Sequence, residues 1–377
     1  MANKIAILTQ PLGYNYGGII QNYALQQVLS EEGINVATIN RVYDHPHSEL
    51  KIAASKAKNL FFRNVLMSKN PKFLGYEQVA KHNIRFMSEH LNLSPEIDST
   101  KKLTQYISNE GFDTVVVGSD QVWRPKYSPN ILNFYLDFLK SDTNITKIAY
   151  AASFGTDKWE YNREETNICS GLIQKFDGVS VREDSGVKLC SDFLNRKDAI
   201  NVVDPTLLLN AEDYNILIGN QKMNAGLFTY ILDSSLEIDE FINKCAKSLN
   251  LKVFSNQVKY KTNTAQSQKI EDYIIPPIEG WLQGFRDADF VITDSFHGSV
   301  FSIINRKPFF TIVNKDRGAS RFESIFRQLG LEDRLLFETF DFELAKLAQE
   351  IDYDSVHLKL THLKTESLEF LQYYLRN

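Results

Sequence analysis

The hydrophobic residues of the chain fall in short runs that alternate with polar turns and with apolar residues at helical spacing. The first such unit predicts a buried strand at residues 5–8, a loop at 13–18 and a helix that ends near Gly33. In the helix Ile20, Ala24 and Leu29 recur on one face, as expected for an amphipathic helix, and Gly33 suits the residue that closes a helix. A second strand follows at 36–39. This order is typical of a parallel sheet covered by helices.

The same alternation recurs to the end of the chain. Residues 45–110 are polar and helix-prone, which indicates helices that cover the first sheet. Asp204-Pro205 cannot continue a regular element, so residues 201–209 are predicted to cross between domains. We therefore expect an α/β fold with two open sheets facing across a cleft, an N-terminal domain at 1–200, a C-terminal domain at 201–353, and a terminal helix at 354–377 that packs back on the N-terminal domain. Further strands are predicted at 112–118, 148–155, 178–182, 227–232, 252–255, 290–294 and 308–313, and further helices from residue 183, at 237–249 and at 299–305.

Composition and charge exclude several classes of function. The 377 residues carry 42 basic and 47 acidic side chains, a net charge of -5, without a basic tract of the kind that binds nucleic acid. Cys169, Cys190 and Cys245 lie far apart, so neither a disulfide framework nor a zinc site is predicted. His45 and His47 have a spacing that could bind metal, but no carboxylate pattern supports them and no metal is expected. The apolar runs are too short for a signal-peptide core or a membrane span, which favours a cytoplasmic protein.

Ligands of open α/β sheets bind beyond the carboxyl ends of the strands, so the loops there hold the candidate chemistry. The loop at 13–18 opens a helix whose N-terminus could hold an anion or a hydroxyl; the alternative is a tight turn that needs glycine for packing. His297 lies at a strand-to-helix turn, and histidine suits proton transfer near neutral pH. Lys315, Arg317 and Arg321 precede a helix, either as a phosphate cradle or as a solvated basic loop.

Two further strand ends carry charged residues with two interpretations each. Asp120 is either a turn or helix-capping residue or, with Trp123 nearby, part of an edge that contacts a sugar. Arg182 could hold a carboxylate in a bidentate pair, or it could form a simple salt bridge to Glu183 or Asp184. The residue pattern alone leaves both questions open.

Six segments occur in the order GYNYGGIIQNYALQ (13–26), VGSDQVW (117–123), ASFG (152–155), SVRE (180–183), VDPT (203–206) and TDSFHG (293–298). Together they resemble the polysaccharide pyruvyltransferase family over nearly the whole chain; their order is more specific than any one of them. The resemblance implies a glycosyltransferase-B-like architecture with two Rossmann-like domains. It also implies phosphoenolpyruvate as donor and a pair of glycan hydroxyls as acceptor, and it associates Arg182 and His297 with the donor.

One position departs from the family pattern. Many relatives carry an arginine where this chain has Ser295, so charge for the donor anion must come from elsewhere, and Arg317 or Arg321 is the candidate. Arg182 is assigned to the donor carboxylate and His297 to proton transfer. The complete predicted set comprises catalytic His297 and Asp120, donor-binding Arg182, Arg321, Arg317, Lys315, Ser295 and Gly298, and acceptor-binding Asn15, Gly17, Gly18, Gln21 and Trp123.

The resemblance therefore predicts a ketal-forming transferase that uses phosphoenolpyruvate as donor substrate and needs no cofactor. Its acceptor would be a glycan or an undecaprenyl-linked precursor of a bacterial capsule or exopolysaccharide, with at most peripheral contact to the inner face of the membrane. One alternative is a glycosyltransferase of the same fold that uses a nucleotide sugar. Another is a non-catalytic glycan-binding protein.

Overall fold

Two parallel β-sheets form the framework of the computed structural model, which describes residues 4–30, 33–44, 74–139, 144–219, 225–260, 267, 269–314 and 318–376. The first sheet contains β1 (Lys4–Leu8), β2 (Asn35–Ile39), β3 (Thr114–Val117), β4 (Thr146–Ala152), β5 (Gly178–Val181) and β6 (Ile200–Asn201). The second contains β7 (Leu227–Tyr230), β8 (Val253–Ser255), β9 (Phe290–Thr293), β10 (Phe309–Ile312) and β11 (Leu335–Leu336). Their orders are β2-β1-β3-β4-β5-β6 and β11-β10-β9-β7-β8, and these pairings are parallel.

Helices connect and cover the strands, and local signals set several of their ends. Side chains of Ser99, Asn162 and Ser235 cap three helix N-termini, while Gly111 and Gly330 close two helices in the left-handed conformation. The helices are α1 (Tyr16–Ser30), α2 (Tyr76–Val79), α3 (Lys81–His90), α4 (Thr100–Glu110), α5 (Arg163–Ile173), α6 (Asp184–Leu194), α7 (Ala211–Asn215), α8 (Leu236–Leu249), α9 (Ile278–Asp287), α10 (Phe296–Ile304), α11 (Ser320–Leu329) and α12 (Tyr353–Arg376).

Both sheets are buried on their two faces, as parallel sheets are. Alternate residues of a strand point to opposite faces, so Ile5 of β1 lies in a core cluster that contains residues of both sheets, while Ala6 lies in a second cluster of the first sheet alone. In β9, Val291 belongs to the shared cluster and Ile292 to a third cluster in the second sheet. The shared cluster packs the two sheets against one another.

The strand orders place one switch point in each sheet. In the first, the chain goes from β1 to β2 on one side and then to β3 on the other; in the second, it goes from β7 to β8 and then to β9. Crevices open beyond the carboxyl ends of strands at such reversals. The loops after β1 and β3, and those after β7 and β9, are therefore the expected ligand-binding loops.

Helix α12 returns from the second sheet to the first. The Ser367 hydroxyl accepts a hydrogen bond from the backbone N–H of Val203 at 3.1 Å, and the rings of Phe370 and Tyr150 of β4 lie 6.4 Å apart between centroids. The chain segment that leaves the first sheet is thereby held by the end of the chain.

The predicted α/β class and two-sheet architecture are confirmed, and each predicted strand is present with small shifts at its ends. Two helix starts are corrected. Helix α1 begins at Tyr16, so Gly17 and Gly18 belong to its first turn and not to a loop; α10 begins at Phe296, which places His297 within the helix. Helices α5 and α9 were not predicted, and residues 45–73 lie outside the described part of the chain.

Candidate active site

A cavity of about 330 Å³ lies where the carboxyl ends of the two sheets meet. Gln10 after β1 and Asp120 after β3 line it from the first sheet, and Leu232 after β7 and Ser295 after β9 line it from the second. These are the loops at the two switch points. The cavity is the size of a small-molecule site, and both sheets are needed to form it.

The first turn of α1 forms one wall of this cavity. The Asn15 side-chain oxygen accepts a hydrogen bond from the Gly17 N–H at 3.0 Å and so caps the helix, and Asn15 and Gly18 both line the cavity. Gly17 lies directly against His297, because a Cβ atom at Gly17 would be 2.1 Å from His297 Nδ1. Packing therefore explains the glycine at 17, while Asn15 and Gly18 lie where acceptor-binding residues were predicted.

His297 occupies the first turn of α10 and lines the same cavity. Its Nε2 lies 3.7 Å from Asp204 Oδ2, and the side chain is 5% exposed. The Ser295 hydroxyl caps α10 by accepting from the Gly298 N–H at 3.3 Å. Gly298 itself is a packing requirement, since a Cβ there would lie 2.3 Å from the Thr293 hydroxyl oxygen.

Arg182 is buried beneath the cavity and is held by two carboxylates. Its Nη1 donates to Asp204 Oδ2 at 2.5 Å, and its Nη2 donates to Asp120 Oδ1 at 3.4 Å. Neither Glu183 nor Asp184, the neighbours suggested by the sequence, is its salt-bridge partner; Glu183 Oε1 instead accepts from Ser153 and from the Phe154 N–H, both at 2.9 Å. Arg182 is 3% exposed and does not line the cavity, so it lies behind the cavity wall in this arrangement, and its contact with a donor carboxylate stays a prediction.

Asp204 joins the groups contributed by the two sheets. In addition to the hydrogen bond from Arg182 and the 3.7 Å approach of His297 Nε2, it accepts hydrogen bonds from the Thr206 hydroxyl at 2.6 Å and from the Thr206 N–H at 3.0 Å. Burial is the largest single influence and acts to raise the pKa of this carboxyl, but the Arg182 guanidinium, His297 and the Thr206 hydroxyl together outweigh it and hold the pKa well below its ordinary value. Asp204 is therefore a permanent negative charge beside the His297 imidazole.

Asp120 holds its carboxylate at the cavity in an unusual backbone conformation. Its φ of +70° lies in the left-handed region, which aspartate tolerates better than most residues. The backbone is fixed because the Ser153 N–H donates to the Asp120 carbonyl at 3.0 Å, and Oδ1 accepts from the Gln121 N–H at 2.9 Å. The position agrees with a role at a ligand-binding edge.

Arg321, in the first turn of α11, brings a second guanidinium to the cavity. Its Cζ lies 5.7 Å from the centroid of the Phe296 ring, and the Cζ of Arg182 lies 4.6 Å from the same centroid. Burial, together with the nearby Arg182, lowers the pKa of Arg321 to about 10, so the group stays cationic at neutral pH. Arg321 therefore supplies a cation at the cavity, which the uncharged Ser295 cannot do in this chain.

Two predicted acceptor-binding side chains lie elsewhere. Trp123 is fully buried, its indole N–H donates to the Phe134 carbonyl at 2.9 Å, and it stacks on Tyr135 at 5.1 Å between ring centroids. Gln21 is also fully buried, where it donates to Thr9 and to the Gly18 carbonyl. Neither side chain lines the cavity, and their contact with the acceptor stays a prediction. Lys315 and Arg317 lie outside the described residues, as do His45 and His47.

Several residues that line the cavity or contact its lining were not predicted from the sequence. Asp204, which lies 3.7 Å from His297, belongs to the VDPT segment, where the proline predicts a domain crossing and no local pattern indicates a buried charge. Asp294 accepts hydrogen bonds from the Leu232 and Asp233 N–H groups at 2.7 and 2.8 Å, which fixes the loop after β7. Tyr43 lines the cavity with its hydroxyl donating to the Tyr127 carbonyl, and no local pattern distinguishes it.

Within the described ranges, His, Cys, Asp and Glu side chains do not gather in threes at metal-binding distance. Among the described helices, none combines the length and apolarity that crossing a bilayer requires.

Solved structures of other proteins resemble this chain over most of its length. S. aureus MnaA in a co-structure with UDP matches at 13% identity and TM-score 0.52, over 100% of this chain and 97% of that one. The N-terminal domain of Candida albicans trehalose-6-phosphate phosphatase matches at 9% identity and TM-score 0.52, over 100% and 97%. UDP-GlcNAc 2-epimerase of Methanocaldococcus jannaschii matches at 12% identity and TM-score 0.49, over 95% and 92%. At these identities the likeness shows the glycosyltransferase-B-like fold alone.

Sequence comparison adds the family. No curated protein sequence matches the chain significantly. The model of the family described as polysaccharide pyruvyl transferase matches residues 15–316, which include the first turn of α1, Asp120, Arg182, Asp204 and His297. The match covers most of the chain and all of the lining residues of the cavity except Gln10, Pro11, Arg321 and Phe322, and the chain belongs to the polysaccharide pyruvyl transferase family.

Proposed function

We propose that the chain transfers the enolpyruvyl unit of phosphoenolpyruvate to two hydroxyls of a glycan, closes it as a ketal and releases phosphate. The observation that carries the proposal is a buried cation, Arg321, on the same cavity as the imidazole of His297, in a chain of this family. A small, highly charged donor is best held by charge-assisted hydrogen bonds in a site that excludes water.

The donor anion is assigned to Arg321 and to the N-terminus of α10, where Ser295 begins the helix and the helix dipole favours negative charge. Arg182 adds positive charge from beneath while orienting Asp120 and Asp204. Lys315 and Arg317 precede α11 in sequence and remain proposed ligands of the phosphate.

The chemistry requires proton movement that His297 is placed to carry. The methylene carbon of the donor gains a proton, and the neighbouring carbon becomes cationic and is attacked by the first sugar hydroxyl. The bond from this carbon to the phosphate oxygen then breaks, and the second hydroxyl closes the ring. Of the two hydroxyl protons, one ends on the new methyl group and the other on phosphate. Positioned proton transfer contributes about 10²–10⁴-fold.

We assign this role to His297 because its imidazole lines the cavity and its Nε2 lies 3.7 Å from Asp204 Oδ2. Asn15 and Asp120 lie on the opposing sheet's side of the cavity and are proposed to orient the two acceptor hydroxyls. The acceptor is a glycan or a lipid-linked glycan precursor, reached by a cytoplasmic enzyme at the inner face of the membrane.

Thermal unfolding with candidate donors tests the proposal. A ligand at about 100 times its dissociation constant stabilises the folded state by about 2.7 kcal/mol. Phosphoenolpyruvate should raise Tm, and pyruvate or UDP-GlcNAc at the same concentration should not. If UDP-GlcNAc raises Tm and phosphoenolpyruvate does not, the donor assignment is refuted.

That second outcome would favour a glycosyltransferase that uses a nucleotide sugar. The observation behind this alternative is the shared fold of S. aureus MnaA, which was solved with UDP. The family match favours the pyruvyl transfer.

A further inference from the structure

A second cavity, of about 410 Å³, borders the loop that opens α1. Five of its nine lining residues are tyrosines, and the others are Val79, Gln257, Val258 and Ile275. We call this cavity the tyrosine groove, after Tyr14, Tyr16, Tyr230, Tyr260 and Tyr273.

The tyrosine groove and the active-site cavity border the same two chain segments. Asn15 lines the active-site cavity, while its neighbours Tyr14 and Tyr16 line the groove. On the other sheet, Tyr230 lines the groove and Leu232 lines the active-site cavity. Each sheet therefore contributes one segment whose residues face both cavities.

The inner part of the groove is rigid before any ligand binds. Tyr16, Tyr230 and Tyr273 are each at most 6% exposed. The Tyr16 hydroxyl donates to the Pro276 carbonyl at 2.6 Å, and Tyr273 exchanges hydrogen bonds with the backbone of Ser267 at 2.8 and 2.9 Å. Such a preformed surface loses little entropy when it binds a ligand.

The outer part of the groove offers accessible aromatic rings. Tyr14 is 59% exposed and meets Tyr76 edge-to-face at 5.1 Å between ring centroids, and Tyr260 is half-buried, 6.1 Å from the ring of Tyr273. A tyrosine presents an apolar face and a polar hydroxyl edge. This combination matches a pyranose ring, which has apolar C–H faces and hydroxyls around its rim.

The composition and size of the groove disfavour phosphorylated ligands and long lipid chains. Among the described lining residues none is Asp, Glu, Lys or Arg, so the groove does not suit phosphoenolpyruvate or a nucleotide phosphate. An undecaprenyl chain is far longer than this volume can enclose. A neutral saccharide segment satisfies both constraints.

We propose that the tyrosine groove binds the sugar units next to the one modified, as an extended acceptor subsite for neutral saccharide chains. The proposal rests on the proposed pyruvyl transfer for the identity of the acceptor. Its consequence is that the protein distinguishes oligosaccharides from single sugars through Tyr14 and Tyr260.

The test uses an array of immobilised neutral oligosaccharides, followed by titration of the best-bound oligosaccharide and of the methyl glycoside of its terminal sugar. The full-length chain is compared with Tyr260→Ala and Tyr260→Phe. Tyr373→Ala is the matched control, since Tyr373 is 63% exposed and lines neither cavity. Loss of one stacking ring should weaken oligosaccharide binding about tenfold, and the phenylalanine variant should retain most of it.

The expected pattern is tighter binding of the oligosaccharide than of the methyl glycoside, lost in Tyr260→Ala and kept in the control. The inference is overturned if the wild type binds no oligosaccharide, or if Tyr260→Ala binds oligosaccharides as well as the wild type does. It is also overturned if affinity depends on an octyl group attached to the sugar and not on the saccharide that carries this group. Stabilisation by phosphoenolpyruvate is measured in parallel and should be the same in Tyr260→Ala. If phosphoenolpyruvate stabilises neither the wild type nor any variant while oligosaccharide binding still depends on Tyr260, the donor assignment is refuted and the saccharide-binding role of the tyrosine groove is retained.

Discussion

Replacing Gly17 by alanine tests whether the position of His297 is set by the first turn of α1. The added Cβ would lie 2.1, 2.6 and 2.8 Å from the Nδ1, Cγ and Cε1 atoms of the imidazole. Comfortable contact begins near 3.4 Å, so the ring must retreat by about 1.3 Å, given the steep repulsion at shorter distances. On its other side the ring faces the fully buried Asp204.

The structure predicts different magnitudes for stability and for activity. Overpacking costs about 1–3 kcal/mol, and alanine returns up to about 1 kcal/mol because it favours a helix more than glycine does. The free energy of unfolding should therefore fall by about 1–2 kcal/mol. A catalytic group displaced by 1 Å can lose about 10²-fold in rate, so kcat/KM should fall by at least that factor.

Urea unfolding measures the stability, and phosphate release from phosphoenolpyruvate with a glycan acceptor measures the rate. Gly171→Ala is the control for helix propensity, because Gly171 lies in α5 with nothing within 4 Å of the new methyl group. A folded Gly17→Ala protein with the wild-type rate would refute the assignment of His297.

Three other substitutions test the charged residues of the site one at a time. Arg321→Gln should weaken phosphoenolpyruvate binding by about 10- to 100-fold, which corresponds to the strength of a hydrogen bond to a charged group. The Tm of the unliganded protein should not fall. Unchanged affinity for phosphoenolpyruvate in a titration would contradict the assignment of Arg321 to the donor site. Asp204→Asn leaves the buried Arg182 without its closest charge partner and should lower the free energy of unfolding in urea by about 3–5 kcal/mol. A decrease below about 1 kcal/mol would contradict the role of Asp204 as the charge partner of Arg182. Burial raises the pKa of Glu183, so folding favours its protonated form, and the stability it contributes is present below its unfolded pKa and lost as pH rises through the folded value. Glu183→Gln should abolish this decline and be more stable than the wild type at pH 7, and equal pH profiles of unfolding would contradict the assignment.

The sheets were predictable because parallel strands are buried on both faces and appear as continuous apolar runs. The positions of Asp120 and His297 at strand ends followed from the same pattern. Helices α5 and α9 were not predicted from hydrophobic spacing, although the capping box of Asn162 with Glu165 marks the start of α5 in the sequence.

The partners of Arg182 could not be predicted from local sequence. Asp204 lies 22 residues away and Asp120 lies 62 away, and both meet the guanidinium because β3, β5 and β6 run parallel in one sheet and place the loops at their carboxyl ends at the same edge. The burial of Trp123 has the same origin, since its stacking partner Tyr135 belongs to a separate 3-10 turn. Neighbours in space and not in sequence decide which polar residues face the ligand.

Nuclear magnetic resonance of the reaction with [2-¹³C]phosphoenolpyruvate and a glycan acceptor measures the central claim most directly. The proposed function predicts a labelled quaternary ketal carbon covalently attached to the glycan, with one phosphate released for each ketal formed and neither product in His297→Ala. Phosphate release that yields only free labelled pyruvate, or a glycan that gains a sugar from UDP-GlcNAc and no label, would contradict it.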